Sequence, residues 1–245
     1  MTRIDLNCDL GEGAGQDAEL MPLITSANIA CGAHAGSLET MIETVELAAR
    51  HRVMVGAHPG FFDLENFGRV ERVIAPAEAS RLVLLQIEQL FEVAGTRLRH
   101  LKLHGALYRQ ASRDGLLAEA LVSDLARLWP DLILYALAGS QLARAAATRG
   151  LRVAQEGFAD RTYQQDGSLS PRDLPHALIT DEDAMVAQAL SIVQRGVVRT
   201  AGGTEVPIVA DTICLHGDTP DAVSFAGRLR NEFAVAEITV KAFGT

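Results

Sequence analysis

The stretch RIDLNCDLGEG alternates Ile4 and Leu6 with Asp5, Asn7 and Asp9. That period of two is a β-strand with one apolar and one polar side. The pattern returns along the chain. RHLKLHG sets His100, Lys102 and His104 against Leu101 and Leu103. DTICLHGD sets Thr212, Cys214, His216 and Asp218 against Ile213 and Leu215. RVAQEGFAD carries Arg152, Ala154, Glu156 and Phe158 in one row. VMVGAHPG ends in His58, and the segment running into CGAHAG carries Asn28 and His34. An ordinary half-buried strand turns its polar row to water. Here six strands each place an acid, a base or a ligand toward the C-terminal end, and that repetition constrains the fold most.

Seven strand-like stretches are marked by β-prone residues: Ile4–Cys8, Ala27–Cys31, Val53–Ala57, Leu98–Leu103, Leu132–Ala138, Arg152–Phe158 and Thr212–Leu215. Helical patterns separate most of them, at Ser37–Arg50 with Ser37 as N-cap, from Pro76 to Gly95, and at Leu116–Leu128, Gln141–Thr148, Glu182–Arg195 and Pro220–Phe233. Alternation of strand and helix predicts a parallel sheet with helices outside. An open sheet has both faces covered by helices, so the polar rows would press on apolar helical stripes. A closed barrel instead turns them to its axis and assembles a site at the C-terminal ends of the strands. The expectation is therefore a single (β/α) barrel over residues 1–245 with seven strands. VVRTAGGTEVPI adds a β-hairpin at Val197–Ile208, where two β-prone arms flank a Gly-rich turn.

Length agrees, since α/β barrels run to about 250 residues as one unit and this chain has 245. A net charge of −9 without a Lys/Arg block argues against nucleic acid and against anionic membrane as partners. No apolar run approaches the roughly 20 residues that span a bilayer. With no signal-like N-terminal segment and only three cysteines, none in a CxxC pair, the expected location is the cytoplasm with thiols reduced. Cys8, Cys31 and Cys214 read as small buried hydrophobes.

The chemistry expected is general acid–base or metal-assisted, because neither a GxSxG elbow nor a GxxxxGK[ST] loop is present. Lys102 inside a barrel needs a partner, which Glu156 or a carboxylate of the first strand can supply, or else it binds an anionic group of a substrate. Asp9, His34 and His58 offer one carboxylate and two imidazoles, enough for an open divalent metal site. Glycines after the strand ends, Gly32 among them, allow a ligand close to backbone N–H groups. His51, His100 and His176 read as structural.

Five segments, DLNCDLGEGAGQDAELMPLITSANIACGAHAG, GAHPGFFDLENFGR, KLHGALYR, EGFADRTYQQDGSLSPR and ICLHGD, resemble in order the signature segments of the LamB/YcsF family. Ala33 and Leu103 depart from the family pattern without removing an ionisable group. The resemblance implies a TIM-like barrel of the glycoside hydrolase/deacetylase kind. It implies ATP-dependent opening of 5-oxo-L-proline to L-glutamate by a 5-oxoprolinase, in a complex with subunits B and C that supply the nucleotide chemistry. Under that reading Asp9 is the base, His104 or His216 the acid, and Glu156 a further catalytic carboxylate. Lys102 or Arg161 holds the substrate carboxylate or phosphate, and backbone near Gly32 serves an oxyanion. Asn7, Glu12, Asn28, Asp160 and Asp218 complete the small-molecule site. Two alternatives stay open: a metal-dependent deacetylase or amidohydrolase, and a non-catalytic small-molecule-binding subunit.

Overall fold

The computed structural model describes residues 2–172, 174–200, 202–217 and 221–245. In chain order its elements are β1 (Arg3–Leu10), α1 (Asp17–Leu20), β2 (Ser26–Ala30), α2 (Leu38–His51), β3 (Met54–His58), α3 (Pro76–Ala94), β4 (Leu98–Lys102), α4 (Gly105–Arg113), α5 (Gly115–Leu128), β5 (Ile133–Leu137) and α6 (Gln141–Thr148). There follow β6 (Val153–Phe158), α7 (Glu182–Arg195), β7 (Val197–Arg199), β8 (Glu205–Pro207), β9 (Thr212–His216), α8 (Ala222–Val235) and β10 (Thr239–Val240). Strands β1 to β6 and β9 pair in sequence, all parallel, and β9 returns to β1. The result is the expected (β/α)7 barrel. β7 and β8 form an antiparallel hairpin outside it.

Local chemistry sets the helix boundaries. Ser37 Oγ accepts from Thr40 N–H, Ser140 Oγ from Ala143 N–H and Asp181 from Ala184 N–H. Each such cap contributes about 1 kcal/mol. Pro76 opens α3 where its missing N–H costs nothing, and Gly196 closes α7 at φ +65°. Pro220, expected to open the last helix, lies outside the described residues. α3 buries Ala79, Val83, Ile87 and Leu90 at spacings of three and four, which lays one stripe against the sheet.

Three elements were not anticipated. α4 begins directly at the end of β4 and is short, so it merges with the strand pattern in sequence. α1 is a single turn. β10 pairs only with the foot of β1, Arg3 with Thr239 and Ile4 with Val240, below the point where β9 takes over at Asp5.

The barrel wall separates two interiors. Outside it, Leu6, Cys8, Ile29, Ala57, Leu101, Leu134 and Ile213 meet the helices in the main apolar core. Inside, Ile133, Tyr135 and Ala154, with Met54 and Phe243, plug the foot. Above the plug the axis is polar: Asp5, Asn7, Ser26, Asn28, His100, Lys102, Glu156 and Thr212 are all buried. Hydroxyls of Thr25, Ser26 and Thr212 donate to Asp5 at 2.6–2.7 Å. Burial nevertheless raises the Asp5 carboxyl above its ordinary value, the hydroxyl contacts offsetting only part of it.

His100 spans the barrel between these layers. Its ring stacks on Tyr135 at 4.3 Å and its Nε2–H donates to Asn28 Oδ1 at 2.8 Å. Burial, with Lys102 adding to it, pulls its pKa down to about 3, so the ring is neutral. Across from it β3 carries Gly56, where a Cβ would lie 2.1 Å from the ring nitrogen. Gly56→Ala is therefore expected to destabilise the fold by about 3 kcal/mol or more, beyond ordinary overpacking. Urea unfolding followed by circular dichroism measures it, and an unchanged midpoint would remove His100 as the reason for glycine at this position.

Candidate active site

Lys102 reaches from β4 to the barrel axis and is the centre of the polar interior. Its Nζ donates to Asp9 Oδ1 at 2.8 Å, Cys214 Sγ at 3.0 Å and Asn7 Oδ1 at 3.2 Å, and pairs with Glu156 Oε1 at 3.0 Å. Burial alone would lower its pKa. Asp9, Cys214 and Glu156 overcome that and hold it well above the ordinary lysine value, so the ammonium is permanent. Asp9 is the mirror case: burial opposes its charge, but His58 and Lys102 together hold its carboxyl well below the ordinary range. The bulk of the polar row is thus a network in which one ammonium faces two carboxylates.

That network absorbs several residues expected to touch substrate. Asn28 Nδ2 donates to both Asn7 Oδ1 and Asp9 Oδ1 at 2.8 Å, while its oxygen accepts from His100. Asn7 Nδ2 donates to Glu156 Oε1 at 3.0 Å and Thr212 Oγ1 at 2.8 Å. Glu156 also accepts from the Tyr108 hydroxyl at 2.6 Å. Asn7, Asn28 and Glu156 therefore position Asp9 and Lys102 and do not face the cavity. Gly32 N–H donates to Ala35 O at 2.9 Å, so it is not an oxyanion donor. The Arg161 guanidinium donates to the Ser170 and Ala177 carbonyls and fixes the loop after β6. Burial and nearby Arg172 bring its pKa down to about 10. Asp218 lies outside the described residues.

Two groups do reach the mouth. On β9, His216 Nδ1 donates to Asp160 Oδ2 at 2.6 Å. Asp160 is thus an orienting partner of His216, not a substrate contact. Burial works against its charge, yet His216 keeps its carboxyl below the ordinary value. The register sets Asp9 beside His216, and one His216 nitrogen, an Asp9 oxygen and Cys214 Sγ lie within 4.8 Å of one another. The second group is Glu12, His34, His58 and His104, whose ligand atoms also lie within 4.8 Å of one another. Glu12, expected as a substrate contact, joins this group, and Asp9, foreseen beside His34 and His58, lies 3.3 Å from His58 Nε2. His104 Nε2–H donates to Phe67 O at 2.9 Å, leaving Nδ1 as an acceptor. Burial and the neighbouring His58 and His34 keep this ring neutral, its pKa well below the ordinary value. A neutral ring in that tautomer has no proton to give into the cavity, so His216 is the better acid.

The cavity above these groups measures about 1080 Å³. Asp9, Glu12, Lys102 and His216 lie in its floor, and its walls carry Arg69, Arg109, Arg113, Arg144, Arg161 and Arg172. Arginines outnumber carboxylates around this opening, even with Glu71 paired to Arg109 and Arg113 and Arg161 held by carbonyls, and that excess favours an anion. Of this rim sequence reading finds only Arg161, and it does not find Tyr108. The arginines come from four separate loops and helices, and Tyr108 sits one turn into the unanticipated α4. The spacing of His104 and Tyr108, four apart across a helix start, is the signal that places both on one side.

Removing Lys102 leaves Asp9 and Glu156 buried without a counter-charge. Lys102→Met is expected to cost about 3–5 kcal/mol at pH 7. Asp9 has a depressed folded pKa, so its pairing stabilises the protein above the unfolded carboxylate value of about 3.9 and is lost as pH falls below it. The gap between wild type and Lys102→Met therefore narrows as pH falls toward 4, where the variant's carboxyls take up protons. Denaturant unfolding at pH 7 and pH 4 measures both, and a gap independent of pH would show that the pairing is not what Lys102 contributes.

Known proteins agree with this architecture. Residues 4–245 match the model of the LamB/YcsF family. The chain is 51% identical to the 5-oxoprolinase A subunit of Methylococcus capsulatus, covering 98% of this chain and 96% of that one. It is 50% identical to the 5-oxoprolinase A subunit of Shouchella clausii, with 99% of each covered. The crystal structure of the lactam utilization protein from Thermus thermophilus superposes with a TM-score of 0.90 at 42% identity, over 98% of this chain and 100% of that one. A putative cellobiose-phosphate cleavage protein from Enterococcus faecalis shares the fold, with a TM-score of 0.60 at 13% identity over 98% and 96% of the two chains. This chain belongs to the LamB/YcsF family.

Proposed function

We propose that the chain is the A subunit of an ATP-dependent 5-oxoprolinase, opening the lactam of 5-oxo-L-proline to L-glutamate with partner subunits B and C in the cytoplasm. The observation that carries the reading is the Asp160–His216 pair set beside Asp9 at the floor of an arginine-rimmed cavity. The full-length relatives named as the 5-oxoprolinase A subunit support it. No helix among the described residues is long and apolar enough to cross a membrane.

A lactam resists water because amide resonance must be broken. Transfer of the γ-phosphoryl group of ATP to the ring oxygen releases ADP and makes the ring carbon electrophilic. This chain carries no P-loop, so the partner subunits are assigned that transfer. The arginine rim suits both the substrate carboxylate and the new phosphate. Water then adds to the ring carbon. His216, oriented by Asp160, takes the water's proton, while Asp9 orients the attacking oxygen. Asp9 is a weak proton acceptor because Lys102 and His58 hold its carboxyl low.

The carbon now bears a hydroxyl, a phosphate and the ring nitrogen. Expelling phosphate returns the lactam; expelling nitrogen opens the ring. Protonation of the nitrogen by His216 selects the second course. The acyl phosphate left behind takes up a second water and gives glutamate and phosphate. His216 thus decides whether ATP use is productive.

Reconstitution with subunits B and C, ATP and 5-oxoproline tests this by following glutamate and phosphate separately. His216→Ala is expected to lower glutamate release about 10²–10⁴-fold. Asp160→Asn should lower kcat with little change in KM, because it acts through His216. No glutamate from the wild-type assembly, or full turnover by His216→Ala, overturns the reading.

A further inference from the structure

The four groups at the end of β1, β2, β3 and β4 make an arrangement that proton chemistry alone leaves short of donors. His58 Nδ1–H donates to Lys102 O at 2.9 Å, and His104 Nε2–H donates to Phe67 O at 2.9 Å. Both rings therefore turn their other nitrogen inward, His58 Nε2 and His104 Nδ1, 2.9 Å apart. Glu12 Oε1 lies 3.3 Å from His104 Nδ1, 3.9 Å from His58 Nε2 and 3.0 Å from His34 Nε2. Two imidazole nitrogens and a carboxylate thus converge on one point, with Asp9 Oδ2 also 3.3 Å from His58 Nε2. His34 Nε2–H serves Glu12, and a proton on His58 Nε2 serves His104 or Asp9, which leaves the contact of Glu12 with His104 Nδ1 without one.

We infer that Glu12, His58 and His104 bind one divalent transition-metal ion, Zn²⁺ by the character of the donors, with His34 holding Glu12 from outside. Two imidazoles and a carboxylate are a borderline donor set suited to zinc with an open fourth position. Metal–ligand bonds of about 2.0–2.1 Å in a tetrahedron put neighbouring ligand atoms about 3.3 Å apart. The three edges among these ligands measure 2.9, 3.3 and 3.9 Å, around that value. His34, stacked parallel on His104, does not share the ion's plane with it and donates to Glu12 instead.

The surroundings point the same way. Ligating histidines almost always give their outer N–H to a carbonyl or carboxylate, which fixes the tautomer and the ring. His58 and His104 both do so through backbone carbonyls. Phe67 adopts φ +55°, a left-handed conformation that a non-glycine residue takes only at a cost, and its carbonyl is the one that holds His104. His34 stacks on His104 at 3.6 Å with the planes 3° apart. Gly60 and Gly68 flank that stack: a Cβ at Gly60 would lie 3.0 Å from His34 Nδ1, and one at Gly68 would lie 2.9 Å from His34 Cβ. The loop after β3 is thus shaped around the histidines.

The neighbouring group of Asp9, Cys214 and His216 differs in one respect. The Lys102 ammonium already stands against Asp9 and Cys214, so a cation is in place there. Glu12, His58 and His104 line the cavity floor, so the ion would face the same space as Asp9 and His216. The inference stands on the geometry of Glu12, His58 and His104 and does not depend on the lactam reading.

The test uses the whole chain, stripped of metal with a chelator and titrated with Zn²⁺ and separately with Co²⁺. One equivalent of Zn²⁺ is expected to bind with Kd below about 1 μM and to raise the thermal midpoint. Co²⁺ should give the intense visible absorption of tetrahedral coordination. Glu12→Gln, which keeps the shape of the side chain, should weaken Zn²⁺ binding about 100-fold or more, as should His104→Gln. Cys214→Ser should bind as wild type does, which separates this site from its neighbour. Circular dichroism of each variant shows that it is folded. Absence of binding to the stripped wild type at about 100 μM Zn²⁺ overturns the inference. So does equal affinity in folded Glu12→Gln, which would mark the ion as adventitious.

Discussion

One buried ammonium holds the interior of this barrel together. Lys102 sits among Asp9, Glu156, Asn7 and Cys214, and each of those is held in turn by another strand. Taking a cation and two carboxylates out of water costs several kcal/mol per charge unless they meet each other. Their meeting fixes more than their own positions. Asn28 is held between Asp9 and His100, Tyr108 reaches in from α4 to Glu156, and Thr212 joins Asn7 to Asp5. Strands β1, β2, β4, β6 and β9 are thereby tied across the axis as well as along the sheet. A barrel filled with aliphatic side chains has no comparable directional links.

The consequence for chemistry is a division by depth. Groups low in the barrel spend their hydrogen bonds on one another and set the charge state of those above. Asp9 stays ionised because Lys102 and His58 face it. His100 stays neutral because it is buried beside that same ammonium. Only at the C-terminal ends do groups meet the cavity, and there the strands contribute distinct devices. β9 brings His216, oriented by Asp160 from the loop after β6, while β1 to β4 bring the carboxylate and three imidazoles.

The fold was largely legible in the chain because two periods separate cleanly. Alternation marked the seven barrel strands, and apolar spacing with Ser37, Pro76 and Gly95 marked the helices. The inward turn of Asp5, Asn7 and Asp9 followed from the repeated polar rows. What periodicity cannot show is which polar groups consume one another. Asn28 looked like a substrate contact, Glu156 like a catalytic carboxylate and Asp160 again like a substrate contact. Their partners, Asp9 with His100, Lys102 with Tyr108, and His216, come from distant segments. The same reason hid Glu12, which joins His34 and His58 while Asp9 also lies beside His58. All of the arginine rim but Arg161 escaped because its members come from four separate segments.

The first strand has a further significance through its neighbours. β1 pairs with β2 on one edge, and its other edge is covered by β10 at the foot and β9 above. The Asp5–Thr212 contact joins residues 207 apart. During folding, one edge of β1 therefore stays bare until a segment 207 residues further along arrives. Closing so long a loop is slow, and an unpaired edge in that interval invites wrong pairing. The charged row that later serves the interior meanwhile makes that edge hydrophilic.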